Sequence, residues 1–256
     1  MSNKFNIWEG IYESFEEADT FVTGKGFEGD IYSERTFNAA KECLDSLKNG
    51  KPIAGFHKQR SNMLPPVVAM MFSKHSYSPL RILDFGGGLG IGYMTLMESI
   101  PVHKTNIDYT IVEVPEVCEI SKKLYTTGEI SYIPKLPSEG SFDLVHSASA
   151  LQYIEPWKEI LKKITNFNPQ YILLSDVFAG NVPTFVTLQN YYDSKMKHWF
   201  FNLDEYIAAL RELGYKLIMK SYVTSKRNGV EDVLPMDNFP EQYRIQQTLH
   251  LLLEKK

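Results

Sequence analysis

The segment that most constrains the fold of this chain is residues 82–90, Ile-Leu-Asp-Phe-Gly-Gly-Gly-Leu-Gly. Its branched apolar residues lead to an acid, Asp84, and four of the five positions 86–90 are glycine. A buried strand that runs into a glycine-dense turn and then a helix is typical of a nucleotide-binding α/β unit. Glycines allow the backbone to approach a ligand that a Cβ atom would repel. The segment therefore predicts a strand, a ligand-binding loop and a helix at residues 90–99.

The spacing of these glycines narrows the choice of ligand. The dinucleotide fingerprint needs glycine at relative positions one, three and six, but counting from Gly86 or Gly87 puts Ile91 or Leu89 where glycine is required. A P-loop is also excluded, because no Gly-Lys-Ser/Thr follows. The remaining pattern, acid-x-Gly-x-Gly-x-Gly over residues 84–90, resembles the first motif of class I S-adenosylmethionine-dependent methyltransferases.

The chain after residue 79 alternates predicted strands with predicted helices, which indicates a parallel sheet with helices on both faces. The predicted strands are residues 81–85, 109–113, 130–133, 142–146, 171–176, 215–221 and 248–253, and later helices cover 156–164 and 203–213. The order of the last helix and strands resembles the end of the class I methyltransferase sheet. We therefore predict an α/β fold: a doubly wound, mostly parallel, seven-stranded Rossmann-like sheet with an antiparallel last strand.

Two segments do not follow this alternation. Residues 1–78 show no dominant strand pattern and predict a helical N-terminal cap, including a helix that ends at Gly50 and another at residues 66–75. Within the domain at residues 79–256, the stretch 177–202 is an aromatic-rich insertion. Because recognition is often carried by additions to a scaffold, we expect the cap and the insertion to roof an acceptor pocket.

Composition excludes several classes of function. With 27 Lys and Arg against 31 Asp and Glu, the net charge of -4 provides no electrostatic footprint for nucleic acid. Cys43 and Cys118 do not suggest a disulfide framework, which favours a reducing compartment. The longest apolar run, residues 63–72, is too short to span a bilayer. The polar, acidic first 20 residues predict no secretion signal, so we expect a cytoplasmic protein.

Ligands of open parallel sheets bind beyond the carboxyl ends of the strands, where this sequence carries Asp84, Glu113, His146 and Asp176. A carboxylate at Glu113 suits both hydroxyls of a ribose, because charge-assisted hydrogen bonds are strong. The alternative is a solvated strand-end glutamate. His146 is the first candidate for a general base, because histidine is the side chain best suited to proton transfer near neutral pH, with Tyr153 and Asp176 as neighbours and His198 as a rival. A hydrogen-bonded supporting role for His146 is the alternative.

The resemblance implies S-adenosylmethionine as cofactor. Asp84 would orient the glycine loop, Gly86 and Gly88 would lie beneath the methionine part, and residues 130–133 would contact the adenine. The implied cofactor-binding residues are Asp84, Phe85, Gly86, Gly87, Gly88, Gly90, Glu113, Val114 and Ser147. No His or Cys spacing indicates a metal.

The predicted activity is methyl transfer to a small-molecule or sugar acceptor, with a homodimer possible. Residues 147–150, Ser-Ala-Ser-Ala, differ from the Asn/Asp-Pro-Pro-aromatic motif of base-modifying N-methyltransferases. The Trp-x-Gly at residues 8–10 and the Asp-Phe-Gly-Gly-Gly core resemble a subgroup of bacterial methyltransferases often encoded beside surface-polysaccharide genes, which implies a hydroxyl acceptor. Two alternatives stay open: a non-catalytic protein that binds S-adenosylmethionine, and a nicotinamide-dependent oxidoreductase.

Overall fold

The computed structural model describes residues 5–74, 79–100, 106–224, 226–227, 230–231 and 233–256. The helices are α1 (Phe15–Ala18), α2 (Asp30–Lys48), α3 (Gly55–Lys58), α4 (Leu64–Lys74), α5 (Ile91–Ser99), α6 (Pro115–Ser121), α7 (Trp157–Thr165) and α8 (Leu203–Glu212). The strands are β1 (Trp8–Tyr12), β2 (Leu80–Phe85), β3 (Ile107–Val112), β4 (Ser131–Ile133), β5 (Leu144–Ala148), β6 (Tyr171–Val177), β7 (Ala179–Gly180), β8 (Phe185–Tyr191), β9 (Ser194–Asn202), β10 (Tyr215–Tyr222), β11 (Lys226–Arg227), β12 (Val230–Glu231) and β13 (Leu249–Lys255).

The main sheet has seven strands in the order β10-β13-β6-β5-β2-β3-β4. Strands β6, β5, β2, β3 and β4 are parallel, whereas β13 runs antiparallel to both β6 and β10. This confirms the predicted doubly wound sheet and its antiparallel last strand. The order reverses between β2 and β5, which is the point where such sheets bind ligands.

Both faces of the sheet are covered by helices. On one face, Val145 and Leu174 pack in a cluster with side chains of α7 and α8, including Trp157 and Tyr206. On the other face, Ile82 and residues of neighbouring strands pack against Val68 of α4 and Leu96 of α5. Burial on both sides explains why these strands are almost continuously apolar, as parallel strands usually are.

The N-terminal segment differs from the helical cap that the sequence predicts. Its helices α1 to α4 are present, although the predicted helix end at His75 lies outside the described residues. However, β1 pairs antiparallel with β8 in a small sheet of order β1-β8-β9-β7. The aromatic-rich stretch 177–202 supplies the other three strands. Trp8 of β1 packs edge-on against Phe178 and Phe200 of this stretch, with ring centroids 5.7 and 5.6 Å apart. The two segments therefore share one sheet.

Strand β5 lies two residues later than the predicted 142–146. Asp143 lies just before the strand, where its Oδ2 accepts a hydrogen bond from the Arg81 backbone N–H at 2.8 Å. At the other end of the strand, Ser147 and Ala148 pair with Leu174 and Ser175 of β6, so His146 lies in the middle of β5 and not at the strand end that the sequence predicts. The loop at the carboxyl end of β5 therefore starts at Ser149.

Candidate active site

The glycine loop joins β2 to α5 with three glycines in left-handed conformations. Gly86, Gly88 and Gly90 have φ angles of 70°, 56° and 81°. A Cβ atom on Gly86 would lie 2.3 Å from the Cβ of Ala150, whereas a Cβ on Gly88 would meet nothing within 4 Å. The loop thus packs tightly against the segment after β5 at Gly86 and faces open space at Gly88.

Asp84 supports this loop from beneath. It is buried, its Oδ2 accepts a hydrogen bond from the Tyr109 hydroxyl at 2.6 Å, and its Oδ1 lies 2.9 Å from Nδ1 of His146. A Cβ atom on Gly87 would come within 2.6 Å of Oδ2. Position 87 therefore requires a glycine, and both oxygens of the Asp84 carboxylate have protein partners.

Glu113 connects the end of β3 to the glycine loop. Its Oε1 accepts a hydrogen bond from the Gly88 backbone N–H at 3.0 Å, and its Oε2 accepts one from the Val114 N–H at 2.9 Å. Burial raises the pKa of Glu113, and these two backbone donors partly oppose the increase. A carboxylate oxygen has two acceptor sites, so both oxygens can still accept a hydroxyl hydrogen.

A cavity of about 1340 Å³ lies over the carboxyl ends of β2, β3 and β5. Typical small-molecule sites measure roughly 300–1,000 Å³, so this volume admits a cofactor together with an acceptor. One side, which we call the cofactor half, is lined by residues 84–89, 112–115 and 134–140. Another part of the lining, which we call the aromatic half, consists of Phe27, Tyr32, Arg35, Arg60, Tyr153, Tyr191 and Tyr192.

The rings of the aromatic half form one continuous wall. The centroid of Phe27 lies 5.1 Å from that of Tyr32, 4.8 Å from that of Tyr153 and 5.9 Å from that of Tyr191. The Tyr153 hydroxyl donates a hydrogen bond to Oε1 of Gln189 on β8 at 2.7 Å. Helix α2, the loop after β5 and the small sheet therefore meet at this wall.

Of the predicted catalytic residues, His146 and Tyr153 line the cavity. His146 is 1% exposed, and within the described residues its Nε2 has no hydrogen-bond partner. Asp176 and His198 do not line the cavity. Asp176 is buried behind Arg60, whose Nε lies 2.9 Å from its Oδ2. His198 is fully buried among the rings of Trp8, Tyr153, Phe178 and Phe200, and burial lowers its pKa to about 3.

Of the predicted cofactor residues, all but Gly90 and Ser147 line the cofactor half. Gly90 is the N-cap residue that precedes α5, and a Cβ atom there would come 2.5 Å from the Tyr125 hydroxyl oxygen. Ser147 is buried within β5, with its hydroxyl lacking a partner among the described residues. Residues 130–133, predicted to contact adenine, do not line the cavity; residues 134–140, which follow β4 directly, do.

Arg35 and Arg60 line the aromatic half, but the sequence analysis did not single them out. Arg60 follows a short stretch that includes His57 and Lys58. Nothing in the sequence indicates that Arg60 pairs with Asp176, which lies 116 residues later. Arg35 lies on α2 with its guanidinium 4.8 Å from the ring centroid of Tyr192. Only the fold brings these two cations to one wall.

The glycine loop lies where the strand order of the sheet reverses, and the sequence of the chain matches a known family that agrees with this position. Residues 56–220, which include the whole glycine loop and most of the sheet, match the family described as methyltransferase domain. The chain belongs to this methyltransferase-domain family. No curated protein matches its sequence.

Solved structures share the fold of this methyltransferase-domain protein. The 1,6-didemethyltoxoflavin-N1-methyltransferase of Burkholderia thailandensis, with bound S-adenosylhomocysteine, is 17% identical, with a TM-score of 0.50 over 87% of this chain and 89% of that one. The magnesium protoporphyrin IX methyltransferase of Synechocystis PCC 6803, with bound S-adenosylmethionine, is 11% identical, with a TM-score of 0.51 over 89% and 94%. Both identities are low, so these likenesses establish the fold, and both ligands agree with the expected cofactor.

Two further findings concern the described part of the methyltransferase-domain chain. Its described residues contain no group of three or more His, Cys, Asp or Glu side chains placed to hold a metal ion. Its described helices include none that is both long enough and apolar enough to cross a bilayer.

Proposed function

We propose that this protein is an S-adenosylmethionine-dependent methyltransferase that methylates a small molecule or a glycan at a hydroxyl oxygen. The observation that carries the proposal is the link between Glu113 and the glycine loop. One carboxylate holds the Gly88 amide and also lines the cavity beside the open space at Gly88. This arrangement supports a ribose site next to the tightly turned backbone.

The residues of the cofactor half fit S-adenosylmethionine. Glu113 would accept hydrogen bonds from the ribose, Gly86 and Gly88 would pass beneath the methionine part, and Val114 with residues 134–140 would enclose the adenine. The bound cofactor supplies a methyl group on a positively charged sulfur. The main contribution of the protein is then to align the acceptor with that methyl group.

A hydroxyl acceptor also needs a base, and His146 is suited to that role. Because an ionised carboxylate only accepts hydrogen bonds, the 2.9 Å contact with Asp84 keeps the proton on Nδ1 of His146. Nε2, which is itself buried, is then the nitrogen with a free lone pair, in a residue that lines the cavity. His146 would remove the hydroxyl proton as the oxygen attacks, and Asp84 would stabilise the cation that forms.

The finer parts of this proposal come from the resemblance stated above. A sugar hydroxyl as acceptor follows the likeness to methyltransferases encoded beside surface-polysaccharide genes. A homodimer, a cytoplasmic location and the division at residue 78 stay predictions.

Calorimetry tests the cofactor. We expect S-adenosylhomocysteine to bind and NAD not to bind. Glu113→Ala should weaken S-adenosylhomocysteine binding by about one to two decades, since it removes charge-assisted hydrogen bonds worth roughly 1.5–3 kcal/mol. An unchanged dissociation constant would contradict the assignment of Glu113, and NAD binding would favour an oxidoreductase.

An acceptor screen with radiolabelled S-adenosylmethionine separates an enzyme from a non-catalytic binding protein. A methyl-transferring enzyme should label at least one hydroxyl compound in a small-molecule and sugar library. Tight cofactor binding with no labelled product across that library would favour the non-catalytic alternative.

A further inference from the structure

Acidic and basic side chains both line the cavity, but its acids are confined to one half. Among the residues lining the cavity, the acids are Asp84, Glu113 and Glu139, and all three belong to the cofactor half. The aromatic half carries the cations Arg35 and Arg60, and two further cations, Lys135 and Lys163, line the cavity outside that half. The acceptor side of the cavity is therefore cationic next to its wall of rings.

Arg60 is held in place by a buried partner. Asp176 has a left-handed φ of 53°, which is uncommon for a residue with a side chain, and its Oδ1 accepts a hydrogen bond from the Thr248 hydroxyl at 2.5 Å. Its Oδ2 is left for Nε of Arg60, at 2.9 Å. Because the Asp176 side chain is only 8% exposed and is held by Thr248, it fixes the Nε edge of the Arg60 guanidinium.

The rest of the guanidinium is available to a ligand. Arginine has five N–H donors, and the contact with Asp176 uses Nε. The Arg60 side chain keeps 63% of its accessible surface because it borders the open cavity. The phenols around it stay neutral at physiological pH, since burial raises the pKa of Tyr32 to about 12 and the pKa of Tyr153 further still.

We propose that the acceptor is a ring compound that carries a carboxylate, with the carboxylate bound by Arg60 and the ring lying against Phe27 and Tyr153. This inference rests on the proposed function and deepens it. The planar guanidinium matches a carboxylate with two parallel hydrogen bonds, which a neutral hydroxyl does not offer. Arg35, 4.8 Å above the Tyr192 ring, adds a second positive charge to the same wall.

The position of Arg60 assigns it to the acceptor and not to the methionine carboxylate of the cofactor. Its partner Asp176 lies on β6, which is separated by β5 from β2 and its glycine loop. The other groups whose charges act on Arg60 are Tyr153, Tyr191 and Tyr32, all from the aromatic half. The guanidinium therefore belongs to the aromatic half.

The test measures ligand binding to the full chain saturated with S-adenosylhomocysteine. Two matched pairs serve as probes: 4-hydroxybenzoate with 4-hydroxybenzamide, and glucuronate with glucose. We expect the acid of at least one pair to bind about tenfold more tightly than its neutral partner, the gain of one charge-assisted contact. Equal affinity within both pairs, or no detectable binding of either acid at millimolar concentration, overturns the proposal.

Variants then identify the arginine. Arg60→Gln should remove the preference for the acid while leaving S-adenosylhomocysteine affinity within about twofold. Because that change removes the cation next to the buried Asp176, the double variant Arg60→Gln/Asp176→Asn replaces the ion pair by two neutral amides and controls for any loss of folding. Arg211→Gln, a remote surface change on α8, is the matched control and should preserve the preference.

The possible failures are distinguishable. If the wild-type chain binds no S-adenosylhomocysteine, the proposed function itself fails. If Arg60→Gln and the double variant weaken S-adenosylhomocysteine binding tenfold or more, Arg60 holds the cofactor carboxylate and only the present inference is overturned. An acid preference that survives in both variants also overturns it.

Discussion

Asp84 and His146 lie opposite each other on the neighbouring parallel strands β2 and β5, and Oδ1 of Asp84 is 2.9 Å from Nδ1 of His146. Both side chains are almost fully buried, yet both border the cavity. The pair therefore connects the support of the glycine loop to the nitrogen that we propose as the base.

The first prediction concerns this base. His146→Ala should lower turnover with a hydroxyl acceptor by about two to four decades, because proton removal in the transition state is lost. The loss should shrink for an acceptor whose hydroxyl is more acidic, and S-adenosylhomocysteine affinity should change little. Steady-state kinetics together with calorimetry check both quantities. Equal losses in cofactor affinity and turnover would instead indicate that His146 contacts the cofactor.

The second prediction uses two glycines with similar backbone angles. Gly88 and Gly50 have φ angles of 56° and 63°, and a Cβ on either would meet no atom within 4 Å. Each change to alanine should therefore cost about 1–2 kcal/mol of stability from the left-handed backbone. Only Gly88→Ala should weaken S-adenosylhomocysteine binding, because its methyl group would enter the cofactor half. Equal binding by both variants would contradict the placement of the ligand at Gly88.

The third prediction is a loss of stability in mild acid. Burial lowers the pKa of His198 from 6.5 to about 3, so the unfolded chain binds a proton near pH 6.5 that the folded chain refuses. The stability that the neutral, buried His198 contributes is therefore fully present above pH 6.5 and decreases as the pH falls toward 3. At pH 5 the loss should be on the order of 2 kcal/mol relative to pH 7.5.

Urea unfolding at the two pH values measures this effect. His198→Phe keeps a ring among Trp8, Phe178 and Phe200, so this variant should lose less stability on acidification than the wild type. His250, whose pKa burial lowers to about 4, retains its own dependence in both proteins. An identical decrease in the variant and the wild type would show that His198 does not titrate as described.

The fourth prediction concerns the N-terminal helices. If residues 1–60 were only a roof over the pocket, their deletion would spare cofactor binding. Ala40 and Leu44 of α2, however, are buried in one cluster with Leu89 and Met94 of the core, so we expect the deletion to abolish cooperative thermal unfolding.

A point substitution tests the same packing more gently. Leu44→Ala should cost about 2–5 kcal/mol, as large-to-small changes in cores do, whereas the exposed neighbour change Lys41→Ala should cost little. A truncated chain that unfolds cooperatively and binds S-adenosylhomocysteine would show that the helices are dispensable to the core.

The sequence alone determined the main sheet and the ligand loop. Local signals suffice there: apolar runs identify buried strands, glycine spacing identifies the loop, and an acid at Glu113 follows its strand by one residue. Because parallel strands place their carboxyl ends at one edge, these local features predict a shared site without any knowledge of long-range contacts.

The tertiary structure alone decided the aromatic half of the cavity. The strand at Trp8 is recognisable only beside β8, its partner about 180 residues later in the chain. The two-residue shift of β5 depends on its pairing with β6 through Ala148, which places His146 in the middle of the strand and not at its end. The role proposed for Arg60 likewise depends on its contact with Asp176, which is distant in the sequence. Pairings between distant residues leave no periodic trace in the sequence, so only the folded chain reveals them.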